Sequence, residues 1–397
     1  MFWKRKKVKA GVYVLAGLLF LFYGLPNIIN QTERATFERT SRIEQIKNRG
    51  MTLKASDSVV TNISDFYTTS SLGKVILGKH HRVLWSAEVK IPIFKGLDTV
   101  SFVKVGGGQQ TTSVEVKSQS KKRYSFRSVN KDNANALPSL FRASLIRPFI
   151  RDQASALNPF SGLVVSHLLS HLNIEHPKPQ MYYLPYVKST DSTTTILGGE
   201  VVTLAEELHK SWVGHSRFGK ADQILGTDDM LSKAKKGEIE IDRRLYLRCR
   251  IFDFLVSDWD RHEKQWKWGL YGTLARPIPL DRDMAFCKFD DGWASQIVRI
   301  FNDKFQSFNK KEINVAGLSK NSLALDKHIL KGLKQDSYNS EVDFIKTALS
   351  KSTLETAFEA YPPEVQVLVA ESHLNIIITR LENLEDAGLR FHEIINN

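Results

Sequence analysis

The run AGVYVLAGLLFLFYGLPNII at positions 10–29 carries no charged side chain. A helix of that length matches the hydrocarbon thickness of a bilayer, so this segment is expected to be solvated by lipid rather than by a protein core. Lys4, Arg5, Lys6, Lys7 and Lys9 precede it. Basic flanks stay on the cytoplasmic side. The expectation is a cytoplasmic tail at 1–9, a transmembrane signal anchor at 10–29, and a remainder that lies across the membrane. A cleaved signal peptide is the rival reading. Its apolar core is usually shorter and ends in a small-x-small site. Here the run ends in Leu25-Pro26-Asn27-Ile28-Ile29-Asn30, which favours an uncleaved anchor.

The remainder has an ordinary globular balance: the 397-residue chain is 42% hydrophobic and 25% charged. Its net charge of +13 makes anionic partners plausible. Away from the N-terminus no Lys/Arg run resembles a nucleic-acid arm, so nucleic acid is not an expected partner. Cys249 and Cys287 are the only cysteines. That excludes a disulfide scaffold and a CxxC metal or redox site; whether the two pair is left open.

Along the chain, 30–70 begins polar and reads as a stalk. Residues 71–97 hold short apolar runs that suit strands or a strand–helix mixture. The adjacent His80 and His81 diverge in either regular structure, which favours structural roles. In VEVK and RYSFRSV the alternation is that of strands around a polar tip, a hairpin preceded by Gly106-Gly107-Gly108. Alternation puts Tyr124, Phe126 and Ser128 on one face, with Arg127 and Val129 on the other. Residues 137–153 read as partly helical and 160–172 as a buried helix. The stretches 177–187 and 193–204 read as strands, and 205–240 as loop with short helix. RRLYLRCRIFDFLVSDWD (243–260) predicts a helix, and 320–395 keeps a helical pattern. The fold class is therefore α+β, with a β-rich region at 71–204 and a helical region at 205–397. A cleft between two such lobes is where ligands bind.

Three features carry chemistry. The glycine run, followed by Gln109, Thr111 and further hydroxyls, offers bare backbone N–H groups that could approach phosphates. It is neither a P-loop nor a GxGxxG opening a helix. Arg127 and Lys131, on or just after the next strand, could place cations beside a phosphate. DWDRHEKQW (258–266) and PLDRDMAF (279–286) put acids at the ends of two apolar elements. A magnesium ion wants hard oxygen ligands, often one or two carboxylates plus substrate phosphates. Asp281 or Asp283 could supply such a ligand, with Gln265 adding a carbonyl oxygen. Asp260 could orient or deprotonate an attacking hydroxyl, while Arg261 and His262 brace the loop. Phosphoryl transfer needs mostly positioning and charge neutralisation. The bland alternative is a structural ion-pair network. Hydrolysis at a di-metal site lacks any HExxH-like pattern.

DRHEKQ (260–265) resembles the DRHxxN catalytic loop of atypical kinases: phosphoinositide kinases, HipA-type toxin kinases and secretory-pathway kinases of the Golgi casein kinase type. LDRDMAF (280–286) resembles the metal-binding LDxGxAF of the secretory group. The segments LGKHHRVLW, GGGQQTTS, YSFRSVNKD and FDFLVSDWDRHEKQWKW resemble a bacterial envelope domain, and the CotH spore-coat kinases share the general layout. The resemblance implies a two-lobed kinase-like fold, with ATP or another nucleoside triphosphate and Mg²⁺ or Mn²⁺ as cofactors. It implies catalytic Asp260 with Arg261 and His262, and metal ligands Gln265, Asp281 and Asp283. Nucleotide contacts would come from Gly106, Gly107, Gly108, Gln109, Thr111, Arg127 and Lys131.

The pattern departs in places. Gln265 replaces Asn, Arg127 replaces the expected Lys with Lys131 a possible substitute, and Asp283 replaces a loop glycine. Arg and Lys are not interchangeable at a phosphate. Asp152 and Glu206 are the candidates for the carboxylate that partners the strand cation. The site therefore reads as an active kinase with a protein, lipid or glycan acceptor, a nucleotidyl transferase, or a catalytically inactive binding module. The soluble part is expected in the periplasm, or in a lumen if the chain is eukaryotic.

Overall fold

The N-terminal apolar run is helical. Helix α1 spans Phe2–Leu19 and passes into a π-helical turn at Phe20–Gly24. The rest of the expected anchor lies outside the residues that the computed structural model describes, which are 2–24, 42–45, 56–107, 111–132, 137–141, 144, 146–186 and 192–397. Among the described residues no helix is long and apolar enough to cross a membrane. Helix α1 spends its first turns on the basic stretch Lys4–Lys9, so the expected transmembrane helix is not among the observed elements.

Part of the segment expected as stalk belongs to the core. Strand β1, Ser58–Thr61, pairs antiparallel with β2, Val89–Pro92, and Val59, Ile63 and Tyr67 are buried. Helix α2, Ser71–Leu77, lies between them in the chain. His80 and His81 are structural, as expected. The buried His80 ring is held between Ser155 Oγ at 2.7 Å and Ser295 Oγ at 2.8 Å; His81 Nε2 lies 2.7 Å from the Phe286 carbonyl.

The alternating stretches form a five-stranded antiparallel sheet in the order β3-β4-β5-β7-β6: Val100–Gly106, Ser113–Ser118, Arg123–Ser128, Val201–Glu206 and Gln180–Tyr183. Phe126 faces Val114 and Leu204 across the ladder, on the face that packs a small apolar cluster with Leu184 and Leu197. Arg127 faces Ser113 and Thr203 on the opposite face. The turn after β3 needs glycine at 107: φ is +120°, and a Cβ there would meet the Thr111 carbonyl at 2.3 Å. Gly108 and Gln109 lie outside the described residues. The strand expected over 193–204 is helical at Ser192–Leu197 before β7 begins. Burying Leu197 against the sheet overrides the strand preference of the β-branched Thr run. Helix α3, Ser161–His171, is buried through Val164, Val165, Leu168 and Leu169.

Helix α4, Arg243–Val256, is the axis of the helical region. The Asp242 side chain caps its N-terminus by accepting from the Leu245 N–H at 3.0 Å, and Ser257 ends it in a left-handed conformation with φ +58°. Every residue from Cys249 to Val256 is buried. A helix buried all round sits inside a core, here against α6, Gln335–Ala348, and α7, Leu384–Asn396; α5, Trp293–Phe301, lies between α4 and α6 in the chain. Cys249 and Cys287 are free thiols. Burial pushes the Cys249 thiol up to about 12, which removes thiolate reactivity.

A second sheet, in the order β8-β10-β11-β9 (Gln223–Leu225, Trp266–Tyr271, Leu274–Pro279, Glu240–Ile241), takes two strands from before α4 and two from after it. The β10–β11 hairpin matters most for the site. Its first pair is Trp266 with Pro279, so the acid loop before Trp266 and the acid loop after Pro279 must emerge side by side.

Candidate active site

Two contacts lock the loops together. The Leu280 N–H donates to the Gln265 carbonyl at 2.9 Å, extending the hairpin by one pair. Arg261, fully buried, donates to the carbonyls of Leu280 at 2.7 Å, Asp281 at 2.9 Å and Gln265 at 3.1 Å. Its guanidinium also lies over the Trp266 ring, 4.7 Å from the centroid. Arg261 thus braces the loop as the sequence suggested. The cost is a buried cation, and burial lowers its pKa.

Behind the loops lies a structural ion-pair network of the kind the sequence offered as the alternative to chemistry. Arg282, between the two acids of its loop, turns inward. It bonds Asp253 and reaches Asp258 Oδ2 at 3.1 Å. Arg250 bonds Asp253 Oδ2 at 2.5 Å and Asp326 Oδ1 at 2.9 Å, and Tyr246 donates to Asp326 at 2.7 Å. With Arg261, the cluster balances three buried arginines against three buried aspartates. Burial first, then the charge of Asp253, pushes the Asp258 carboxyl up to about 6 against the pull of Arg261 and Arg282. Asp258 is structural and closes off half of the first acid motif from solvent.

Asp281 and Asp283 turn outward. Arg127 donates to Asp281 Oδ2 at 2.7 Å, and Lys131 pairs with Asp283. The two cations at the end of β5 therefore meet the two carboxylates of the loop across the gap between sheet and helices. Burial alone would raise the Asp281 carboxyl, but Arg127 and Lys131 together hold it below its usual value. Burial and the Asp281 charge raise its neighbour Asp283. Two adjacent carboxylates pushed in opposite directions are a mark of functional clefts. Asp281 also holds φ at +47°, a strained conformation for a residue with a Cβ.

Thr111, Arg127, Lys131, Asp281 and Asp283 all line one cavity of about 170 Å³. Its walls include Val129, Leu157 and Leu280, and Glu206, Glu207 and Leu208, where β7 leaves the sheet. Small-molecule sites have this make-up: apolar walls with a few converging polar groups. Gly106 and Gly107 do not line it.

Asp260 and His262 do not line this cavity. Asp260 Oδ1 accepts from Asn321 Nδ2 at 3.1 Å and lies 4.0 Å from His262 Nε2. His262 Nδ1 accepts from the Lys264 N–H at 3.2 Å, capping the short turn Glu263–Gln265. Gln265 serves through its main-chain carbonyl and does not line the cavity with Asp281 and Asp283. Neither candidate partner for Arg127 fills that role. Asp152 makes a two-pronged pair with Arg82 at 2.7 and 2.6 Å; Glu206 bonds Arg217 Nε at 2.8 Å. The carboxylates of the second acid loop take their place.

Among the described residues no three His, Cys, Asp or Glu side chains cluster as a metal site. Asp281 and Asp283 offer hard oxygen donors that fit a magnesium or manganese ion whose remaining ligands are phosphates and water. Sequence reasoning missed Asn321 entirely, because nothing near it in the chain marks it as partner to an acid 61 residues away.

No family model matches this chain, and no curated protein does. Solved structures similar to it include a proinflammatory kinase, CtkA, of Helicobacter pylori, at 11% identity and TM-score 0.38, covering 73% of this chain and 96% of that one. The Golgi casein kinase matches at 12% identity and TM-score 0.33, over 89% and 90% of the two chains. HipA of Shewanella oneidensis, solved with HipB and operator DNA, matches at 8% and 0.28, over 77% and 70%. The first two of these neighbours are kinases, and the third belongs to a toxin–antitoxin system. Likenesses this remote leave the chemistry to be read from the cleft.

Proposed function

We propose that the cleft binds a nucleoside triphosphate with Mg²⁺ or Mn²⁺ and passes a phosphoryl group to a hydroxyl acceptor on an envelope protein, lipid or glycan. The carrying observation is the double pairing of Arg127 with Asp281 and Lys131 with Asp283 at the cavity mouth. In each pair a cation and a carboxylate neutralise one another. A metal–triphosphate presents the complementary halves of both pairs: phosphate oxygens for Arg127 and Lys131, a cation for Asp281 and Asp283. The bound ion would supply neutralisation of phosphate charge. Apolar walls near Leu157 and Leu280 would take the base. Asp260, held through one oxygen by Asn321, is the carboxylate available to accept the proton of the attacking hydroxyl. In this reading the cytoplasmic tail and anchor hold the catalytic part at the membrane, on its periplasmic or lumenal side.

Thermal unfolding of the full chain with ATP and Mn²⁺ tests the reading. Ligand at a hundredfold over Kd adds about 2.7 kcal/mol. The shift is expected in wild type and absent in Asp281→Ala. No shift with any nucleotide would sink it.

A second reading is a non-catalytic nucleotide-binding module. Its support is that Asp260 and the Gln265 side chain do not line the cavity that holds Asp281. A metal-dependent shift without release or transfer of phosphate from labelled ATP would favour it. Transfer of the α-phosphate label would instead mark a nucleotidyl transferase.

A further inference from the structure

Helices α2 and α5 pack side by side and turn their apolar stripes outward. On α2, Leu72, Val75 and Ile76 are 69%, 56% and 45% exposed. On α5, Trp293, Ile297 and Ile300 are 73%, 55% and 80% exposed. These positions follow i, i+3, i+4 on one helix and i, i+4, i+7 on the other, the spacing of a single helical face. A surface helix normally turns that face into the core. Here the inward face of α5 is the small pair Ala294 and Ser295, both buried.

The arrangement is built in. Asp291 accepts from the His80 N–H at 3.1 Å, and the His80 ring grips Ser295 on α5. Gly292 and Gly78 touch backbone to backbone: a Cβ on Gly292 would meet the Gly78 nitrogen at 2.2 Å. The two helices are thus clamped to the core and to each other with their stripes out. A contiguous apolar face of this kind marks an interaction site.

Its charges identify the partner. From Ser71 to Lys79 and from Gly292 to Asn302 there are three cations, Lys74, Lys79 and Arg299, and no acid. Asp291, just before α5, is turned toward His80 and Lys288. Apolar residues including a tryptophan, with Lys74, Lys79 and Arg299 on the two helices and acids only at the ends of α5, Asp290 and Asp291 before it and Asp303 after it, fit an interface with apolar depth and negative headgroups. A second copy would bring the same cations against these.

We propose that the joint outer face of α2 and α5 docks on the surface of an anionic lipid bilayer. This face is separate from the cleft, and the proposal does not depend on phosphoryl transfer.

The test uses the full chain with vesicles of zwitterionic lipid, with or without phosphatidylglycerol, whose acyl chains are brominated. Bromine quenches a tryptophan only at membrane depth, so the Trp293 signal is the difference between wild type and Trp293→Phe. This difference separates the face from any binding by the N-terminal segment. Quenching of the Trp293 component is expected on anionic vesicles. Ile297→Glu with Ile300→Glu, both at exposed positions, is expected to raise the lipid concentration needed by about tenfold or more. Equal quenching in wild type and Trp293→Phe would overturn the proposal. So would hydrogen-exchange protection of 71–77 and 293–301 that grows with protein concentration in the absence of lipid, which would make the face a contact between copies.

Discussion

Two sets of ion pairs meet at the loop after β11, and they do opposite work. Behind the loops, Arg250, Arg261 and Arg282 meet Asp253, Asp258 and Asp326 in a site closed to water. At the cavity mouth, Arg127 and Lys131 meet Asp281 and Asp283, with the Arg127 side chain 44% exposed. A buried charge stripped of its partner has no water to turn to, so the inner set is fixed once folded. Arg127 can trade its partner for solvent or ligand at little cost, whereas Lys131, only 8% exposed, needs a carboxylate or a phosphate beside it. The same chemical types thus build the frame in one place and an exchangeable site in the other.

The largest effect should come from breaking the inner set. Removing one partner of a buried pair costs about 3–5 kcal/mol. Arg250→Met removes the cation that Asp253 and Asp326 share, leaving Asp253 to Arg282 and Asp326 to the Tyr246 and Ser322 hydroxyls, and chemical denaturation should show a loss of that size. A loss near that of a surface pair would erase the contrast.

Acid tests the interior from another side. Burial depresses His80 to about 3, His81 to about 4 and His176 to about 3. An unfolded histidine takes its proton near 6.5, so between about 6.5 and 4 the unfolded state binds more protons, and stability falls as pH falls. Asp258 works against this. Its folded value of about 6 lies above the unfolded one near 3.9, so its contribution is present below about 4 and lost as pH rises through 6. Melting temperature should therefore drop from pH 6.5 to 4 in wild type. In Asp258→Asn the drop should be steeper, since the opposing group is gone. An unchanged slope would show that Asp258 does not titrate in that window.

At the mouth, Asp281→Ala should remove the roughly 2.7 kcal/mol of nucleotide stabilisation available at a hundredfold over Kd. Asn321→Ala should leave that stabilisation intact. If Asp260 takes the hydroxyl proton, losing its charged hydrogen bond should slow turnover by about tenfold. Equal losses of binding and turnover would make Asn321 a mere loop support. Smallest of all, Arg127→Gln should change the stability of the ligand-free protein by less than about 1 kcal/mol. A larger loss would place this pair with the frame.

Several elements were legible from local pattern. The alternation in RYSFRS announced β5 and put Arg127 and Phe126 on opposite faces, because a strand's period of two is a backbone property. The run from Arg243 announced a helix that now spans Arg243–Val256. The Thr run at 193–195 misled, since its strand preference is weaker than the packing of Leu197. The expected carboxylate partner for Arg127 was sought in Asp152 and Glu206, which are bound to arginines that sequence could not assign to them.

The sequence by itself determined that two acid-rich turns cap apolar elements, that cations follow a glycine turn on a strand, and that a basic tail precedes an apolar run. Only the tertiary structure decided which acid does what. Asp258 and Asp260 are two residues apart, as are Asp281 and Asp283, yet Asp258 is entombed with Arg282 while Asp281 and Asp283 face the cavity. The register of the β10–β11 hairpin and the carbonyl grip of Arg261 make that choice. Both are long-range contacts. A carboxylate's role depends on the water and counter-charges around it, which neighbours in sequence do not supply.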